Sequence, residues 1–166
     1  MNKTVKILIA LFLFLMMQPV FAKENATVHI NRAVKLFDKG LYTASIAEYS
    51  KAIKISSNDT AANNGIILAY TSRAKGYLNE NEYGKAANDY RSILFYSPEL
   101  VEIKEALKFC ENKLGFKNTS KNHYYTAKLL DVAGESAAAA YEYTQAAKYI
   151  KTLEKHEDKN NSAGKN

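Results

Sequence analysis

The sequence predicts an all-α fold built from pairs of antiparallel helices, and three observations support this prediction. Seven residue columns recur at fixed offsets in three stretches of the chain, residues 33–52, 74–93 and 127–146. Two of these columns hold small residues, which let two helices pack at close distance. Glycine or asparagine stands in the middle of each stretch, where a first helix must end and a second begin.

Each column keeps a similar kind of side chain in nearly every copy. In chain order, the columns are Ala33, Ala74 and Ala127; Leu36, Tyr77 and Leu130; Gly40, Asn81 and Gly134; Tyr42, Tyr83 and Ser136; Ser45, Ala86 and Ala139; Tyr49, Tyr90 and Tyr143; and Ala52, Ile93 and Ala146. The aromatic column that begins at Tyr49 is predicted to fill the space between neighbouring helix pairs.

Periodicity and capping residues predict about seven helices. They are expected near residues 28–39, 43–56, 60–79, 83–96, 98–114, 121–133 and 136–154. Gly40 separates the first helix from the second. Asp59 is a suitable N-cap for the third helix, and Asn81 separates the third from the fourth.

The last three helices have similar signals. Ser97 and Pro98 provide a cap and a first-turn proline for the fifth helix, and Ser120 can cap the sixth. Gly134 separates the sixth helix from the seventh. Cys110 is the only cysteine and shares one face of the fifth helix with leucine and isoleucine residues, so we expect it to be a buried core residue.

The fifth helix interrupts the spacing between the second and third copies, and two arrangements remain open. In one, this helix is an insert, and the sixth and seventh helices form the third unit. In the other, the fifth and sixth helices pair, and the seventh caps the array. The residue columns favour the first arrangement, whereas the total of seven helices favours the second.

The columns resemble those of the tetratricopeptide repeat, a helix–turn–helix unit of about 34 residues. This resemblance implies a right-handed α-solenoid in which the first helices of the units line a concave groove that holds a peptide. The groove residues that it implies are Ile30, Val34, Phe37, Leu68, Thr71, Lys75, Leu78, Tyr124, Lys128 and Asp131. The last three depend on how the third copy pairs. The first three could instead pack on the preceding segment around Val28.

Residues 1–22 have the pattern of a secretory signal. Lys3 and Lys6 precede an apolar run over residues 7–17, and cleavage is expected after Ala22. We therefore expect an exported protein that is periplasmic or secreted, with a repeat domain over 23–154 and a disordered polar tail over 155–166. The alternative is that the segment stays uncleaved and tethers the protein to the membrane.

Composition argues against nucleic-acid binding and against catalysis. The 23 Lys and Arg residues alternate with the 17 Asp and Glu residues and do not form a basic stripe. His29, His123 and His156 are scattered, and none is spaced with a cysteine or a carboxylate as in a metal-ligand motif. We predict no catalytic residue, no metal and no cofactor.

The sequence therefore predicts an exported, non-enzymatic scaffold that holds a protein or peptide partner, with a role in cell-envelope assembly or secretion. One alternative is a membrane-tethered assembly subunit. A less favoured alternative is a small-ligand binder or an enzyme that uses the groove.

Overall fold

The computed structural model describes residues 25–163, with side chains as far as residue 152. Seven helices and no strand occur in this range, which confirms the predicted all-α fold. The helices are α1 (Ala26–Asp38), α2 (Tyr42–Ile55), α3 (Thr60–Asn79), α4 (Tyr83–Tyr96), α5 (Val101–Lys113), α6 (Ser120–Val132) and α7 (Ser136–Ala163). The predicted signal, residues 1–22, lies outside the described residues.

The three predicted turns between paired helices have the same backbone geometry. Gly40, Asn81 and Gly134 all adopt positive φ angles, of 73°, 59° and 79°. This left-handed conformation ends a helix and turns its last carbonyl groups toward the following residues. Asn81 is the one non-glycine residue of the described chain with a positive φ, and asparagine tolerates this conformation better than most residues.

Two of the predicted helix starts need correction. The side chain of Thr119, not that of Ser120, accepts the capping hydrogen bond of α6, from the N–H of Asn122 at 3.2 Å. Ser120 is the first helical residue, and its hydroxyl donates to the carbonyl of Ala146 in α7. Ser97 and Pro98 precede α5, which begins at Val101. Asp59 caps α3 as predicted and accepts from the N–H of Ala62 at 2.9 Å.

Helix packing follows the first of the two predicted arrangements. The antiparallel pairs are α1–α2, α3–α4 and α6–α7, and α3 packs on both helices of the first pair. Helix α5 packs on α4 and forms no pair with α6, so it is an insert. The third pair joins the rest of the molecule through α7, which packs on α4.

The small-residue columns are buried in all three pairs, as the sequence predicts. Each of the six residues is at most 2% exposed. The hydroxyl of Ser45 donates to the carbonyl of Ala33 at 2.8 Å, so this serine fits the alanine column without an unpaired polar group. Cys110 is also buried, as expected. One large apolar core extends from α1 to α5, whereas Leu130, Ala138 and Ala139 form a small separate cluster in the third pair.

Helix α7 extends beyond its predicted end at residue 154. Its backbone is helical to Ala163, so most of the segment predicted to be a disordered tail, residues 155–166, continues this helix. The segment is polar, but the sequence has no glycine or proline between Ser136 and Ala163, and Gly164 is the first residue that would break the helix. None of the helices formed by the described residues is both long and apolar enough to cross a bilayer.

Candidate functional site

Seven of the ten predicted groove residues lie on α1 and α3, which contact each other. Ile30, Phe37 and Leu78 are half-buried and pack against the large core. Thr71 is also half-buried, and its hydroxyl donates to the carbonyl of Ile67 within its own helix. These four side chains therefore support the fold at the edge of the predicted groove.

The other three residues of this set project into solvent. Val34 is 43% exposed and Leu68 is 54% exposed, although both are apolar. Lys75 is exposed as well and lies two turns after Leu68 on α3. We call Val34, Leu68 and Lys75 the α1–α3 face. It offers two apolar contacts and one positive charge to a partner.

The structure does not bring the last three predicted residues to this face. Tyr124, Lys128 and Asp131 are exposed on α6, and α6 packs on α7 and on none of the other described helices. The tyrosine ring contacts the ring of Tyr143 at 6.1 Å between centroids. The insert α5 changes the position of the third pair, so its first helix does not continue the row formed by α1 and α3.

Two further columns, absent from the sequence prediction, face each other inside the helix pairs. Their members are His29, Tyr70 and His123 on the first helices and Glu48, Asp89 and Glu142 on the second helices. His29 bonds through Nδ1 to Oε2 of Glu48 at 2.7 Å, and His123 bonds in the same way to Glu142. Both pairs are 19 residues apart in sequence.

The spacing of the histidines matches no metal-ligand motif, but it did not lead us to predict that His29 and His123 each bond to a glutamate of the paired helix. The signal was present in the sequence, because each histidine precedes the alanine of its first helix by four residues. Each glutamate follows the small residue of its second helix by three. No side-chain position is described for His156.

In the second pair Tyr70 occupies the histidine column, and Arg73 bonds to the acidic residue, Asp89. Arg73 donates to both carboxylate oxygens of Asp89, at 3.0 Å from Nε and 2.6 Å from Nη2. Burial raises the pKa of Asp89, and the hydrogen bonds from Arg73 oppose that rise. Burial also raises the pKa of Tyr70 to about 12, so its phenol stays neutral at physiological pH.

The third pair contains a buried ion cluster. Arg91 of α4 donates through Nε to Oε1 of Glu142, whose other oxygen bonds to His123. Nη2 of Arg91 donates to Glu111 of α5 at 2.9 Å. Both oxygens of Glu142 are thus engaged by basic side chains inside the protein. A buried charge requires such partners, because a charge without them is strongly destabilising in the protein interior.

A cavity of about 360 Å³ separates α5 from α7 beside this cluster. Its lining includes Lys104, Lys108, Glu111, Phe116, Tyr141 and Tyr149. Burial raises the pKa of Tyr141 to about 12, and burial also raises the pKa of the Glu111 carboxyl. The Tyr141 phenol is therefore neutral at physiological pH, and the charge of Arg91 opposes the rise in the pKa of Glu111. In the described part of the chain, no three His, Cys, Asp or Glu side chains are grouped so that they could hold a metal ion.

Comparison with known proteins finds one similarity over most of the chain. The chain is 28% identical over 147 residues to a DnaJ homolog subfamily C member 7 homolog of Dictyostelium discoideum. The alignment covers 89% of this chain and 25% of the other protein, so the chain spans about a quarter of that relative's length. No protein-family model matches the chain, and no solved structure matches it.

Proposed function

We propose that this protein is a non-enzymatic scaffold of the tetratricopeptide type that binds a protein partner through its α1–α3 face. The observation that carries the proposal is the exposure of Val34 and Leu68 on two helices that contact each other. Apolar side chains that are covered on binding contribute much of the affinity of a protein interface. The recurring columns and the similarity to a DnaJ homologue support the assignment of a repeat scaffold.

The binding role is tested with a double substitution on the exposed face. Val34→Glu with Leu68→Glu places two charges where the partner is expected to bind, without removing a buried side chain. Phe37 is unsuitable for this test, because it packs on the core and its loss would also lower stability. We expect the double variant to lose at least about 90% of a partner that the wild-type protein captures from native cells, since a buried unpaired charge costs several kcal/mol.

The matched control is Val101→Glu on α5, an equally apolar and exposed position that is not on the α1–α3 face. It should capture the partner as the wild type does, and all three proteins should melt at similar temperatures by circular dichroism. Equal capture by the double variant and the control would refute the assignment of this face.

We further propose that the protein is exported and acts in the cell envelope, during assembly or secretion. The support is the signal pattern of residues 1–22, together with the protein-binding role that the resemblance to the tetratricopeptide repeat implies. Sequencing the N terminus of the protein recovered outside the cytoplasm tests this proposal. A first residue of Lys23 is the expected result, and retention of residues 1–22 in the membrane fraction would favour the tethered alternative.

A further inference from the structure

The exposure of the tyrosines in the aromatic column shows which helix pair is not covered by a further helix. Tyr49 is 5% exposed and Tyr90 is 4% exposed, because α3 packs on the first pair and α5 packs on the second. Tyr143 occupies the same column of the third pair and is 37% exposed. No described helix packs on the third pair in the way that α3 packs on the first.

The uncovered surface on the third pair is apolar. Tyr143, Ala147 and Ile150 are exposed and lie one and two turns apart on α7. Tyr124 of α6 extends this surface through its ring contact with Tyr143. We call these four residues the open edge. It spans both helices of its pair, as does the surface on which α3 packs.

The same columns are covered in the first two pairs. Ile53 and Leu94 occupy the column of Ala147, and both belong to or pack against the large core. The open edge therefore repeats a surface that elsewhere in this chain receives a helix. The packing of α3 and α5 on the equivalent surfaces therefore indicates how a partner helix would pack on the open edge.

The residues around the open edge are mostly basic. Lys151 lies one turn after Ala147 on α7 and is exposed. The ammonium group of Lys128 lies 5.9 Å from the centre of the Tyr124 ring. Asp131 is the exposed acid on α6. A partner with acidic residues on its flanks would complement these charges.

The first pair also shows which kind of residue packs against the tyrosine of this column. The ring of Tyr49 lies against Gly65 of α3, where an added Cβ would be only 2.2 Å from the ring. A helix that covers Tyr143 in the same way needs a small residue at the corresponding position. A membrane surface would not have this requirement.

We propose that the open edge binds an amphipathic helix of a protein partner, with a small residue over Tyr143 and acidic residues along both flanks. This surface is separate from the α1–α3 face, so the two proposals stand independently. The helix would pack on α6 and α7 as α3 packs on α1 and α2.

The test uses a synthetic peptide of about 20 residues, since a helix of this length spans about 30 Å. It carries a central glycine, leucines one and two turns away on the same face, glutamates on the flanks and a fluorescein label. Fluorescence anisotropy should show saturable binding to the full protein. Tyr143→Glu with Ile150→Glu should weaken binding at least tenfold, as should replacing the central glycine of the peptide with leucine.

Two controls separate this result from unfolding and from the α1–α3 face. Val132→Glu changes an apolar side chain of α6 that is 89% exposed and outside the open edge, and it should bind the peptide normally. The Val34→Glu, Leu68→Glu double variant should also bind it normally. Thermal unfolding by circular dichroism should be similar for all variants, with at most a small loss of stability in the Tyr143, Ile150 double variant because the Tyr143 ring also contacts that of Tyr124.

Three kinds of outcome would overturn the proposal. The first is failure of the peptide test, which means either no saturable binding or equal binding by the wild type and the Tyr143, Ile150 double variant. Another is binding to vesicles that contain phosphatidylserine but not to the peptide, which would assign the edge to a membrane surface. The third is a wild-type dimer that Tyr143→Glu converts to a monomer in light scattering, which would assign it to a second copy of the chain.

Discussion

The first and third helix pairs contain the same histidine–glutamate pair in different surroundings. In the first pair, Glu48 also accepts from the exposed Lys51 at 2.5 Å, and hydrogen bonds from His29 and Lys51 lower its pKa. In the third pair, Glu142 is fully buried and is shared between His123 and Arg91. The histidine–glutamate contact thus stays within the first pair, whereas in the third pair the glutamate also bonds to Arg91 of α4 and so connects two pairs.

This difference follows from how each pair joins its neighbours. The first two pairs and α5 share one large apolar core. The third pair has a small core of its own and meets α4 through α7, where Tyr141 packs against the large core and the buried Arg91 bonds to Glu142. The contact between the third pair and the rest of the molecule therefore combines an apolar side chain with a buried ion pair.

The largest expected difference between the two pairs comes from removing the glutamate charge. Glu142→Gln removes the carboxylate that Arg91 and His123 share and leaves Glu111 as the acidic partner of Arg91. Because a buried ion pair is broken, we expect it to lower the free energy of unfolding by about 3–5 kcal/mol. Glu48→Gln should lower it less, by about 1–2 kcal/mol, because the Glu48 side chain is 13% exposed and its second partner, Lys51, is in solvent. Urea denaturation followed by circular dichroism measures both values.

The helix content of each variant at zero urea is the control for these measurements. Both variants should retain the wild-type spectrum before unfolding begins. Similar losses of stability in the two variants would show that the two histidine–glutamate pairs contribute equally, and the contrast between the first and third pairs would then be wrong.

A smaller effect on stability is expected from substituting Gly65, against which the Tyr49 ring packs. Gly65→Ala places a methyl group against the buried ring of Tyr49, and we expect overpacking to lower stability by about 1–3 kcal/mol. Gly76 lies on the same helix with nothing within 4 Å of an added Cβ. Gly76→Ala should therefore raise stability by about 0.5–1 kcal/mol through helix propensity.

The two alanine variants share one helix and one chemical change, so each is the control for the other. Thermal melts monitored at 222 nm should shift in opposite directions. A stabilising Gly65→Ala would mean that the Tyr49 ring can move aside at little cost. The central glycine specified for the partner helix at Tyr143 would then lose its basis.

Features that depend on nearby residues could be predicted from the sequence. The positive φ angles of Gly40, Asn81 and Gly134 follow from residue type and from the columns on either side. The burial of the alanine columns follows from their spacing. Both depend on contacts within a single helix pair, which the repeated pattern makes visible.

The placement of the third pair could not be predicted in this way. It depends on contacts such as that between Arg91 and Glu142, which are 51 residues apart and belong to different units. Arg91 lies outside the recurring columns, so its role had no signal in the repeat. For the same reason, the sequence assigned Tyr124, Lys128 and Asp131 to a continuous row of first helices that the insert α5 interrupts.

The position of Arg91 also affects how parts of the protein unfold locally. In an array whose units touch only their neighbours, stability is close to a sum of local terms, and end units can fray separately. Arg91 bonds to Glu111 of the insert and to Glu142 of the third pair. Detachment of either element would leave the other with an imperfectly compensated buried charge. We therefore expect hydrogen exchange in α5 and in the third pair to be coupled through Arg91, although α5 also packs on the large core.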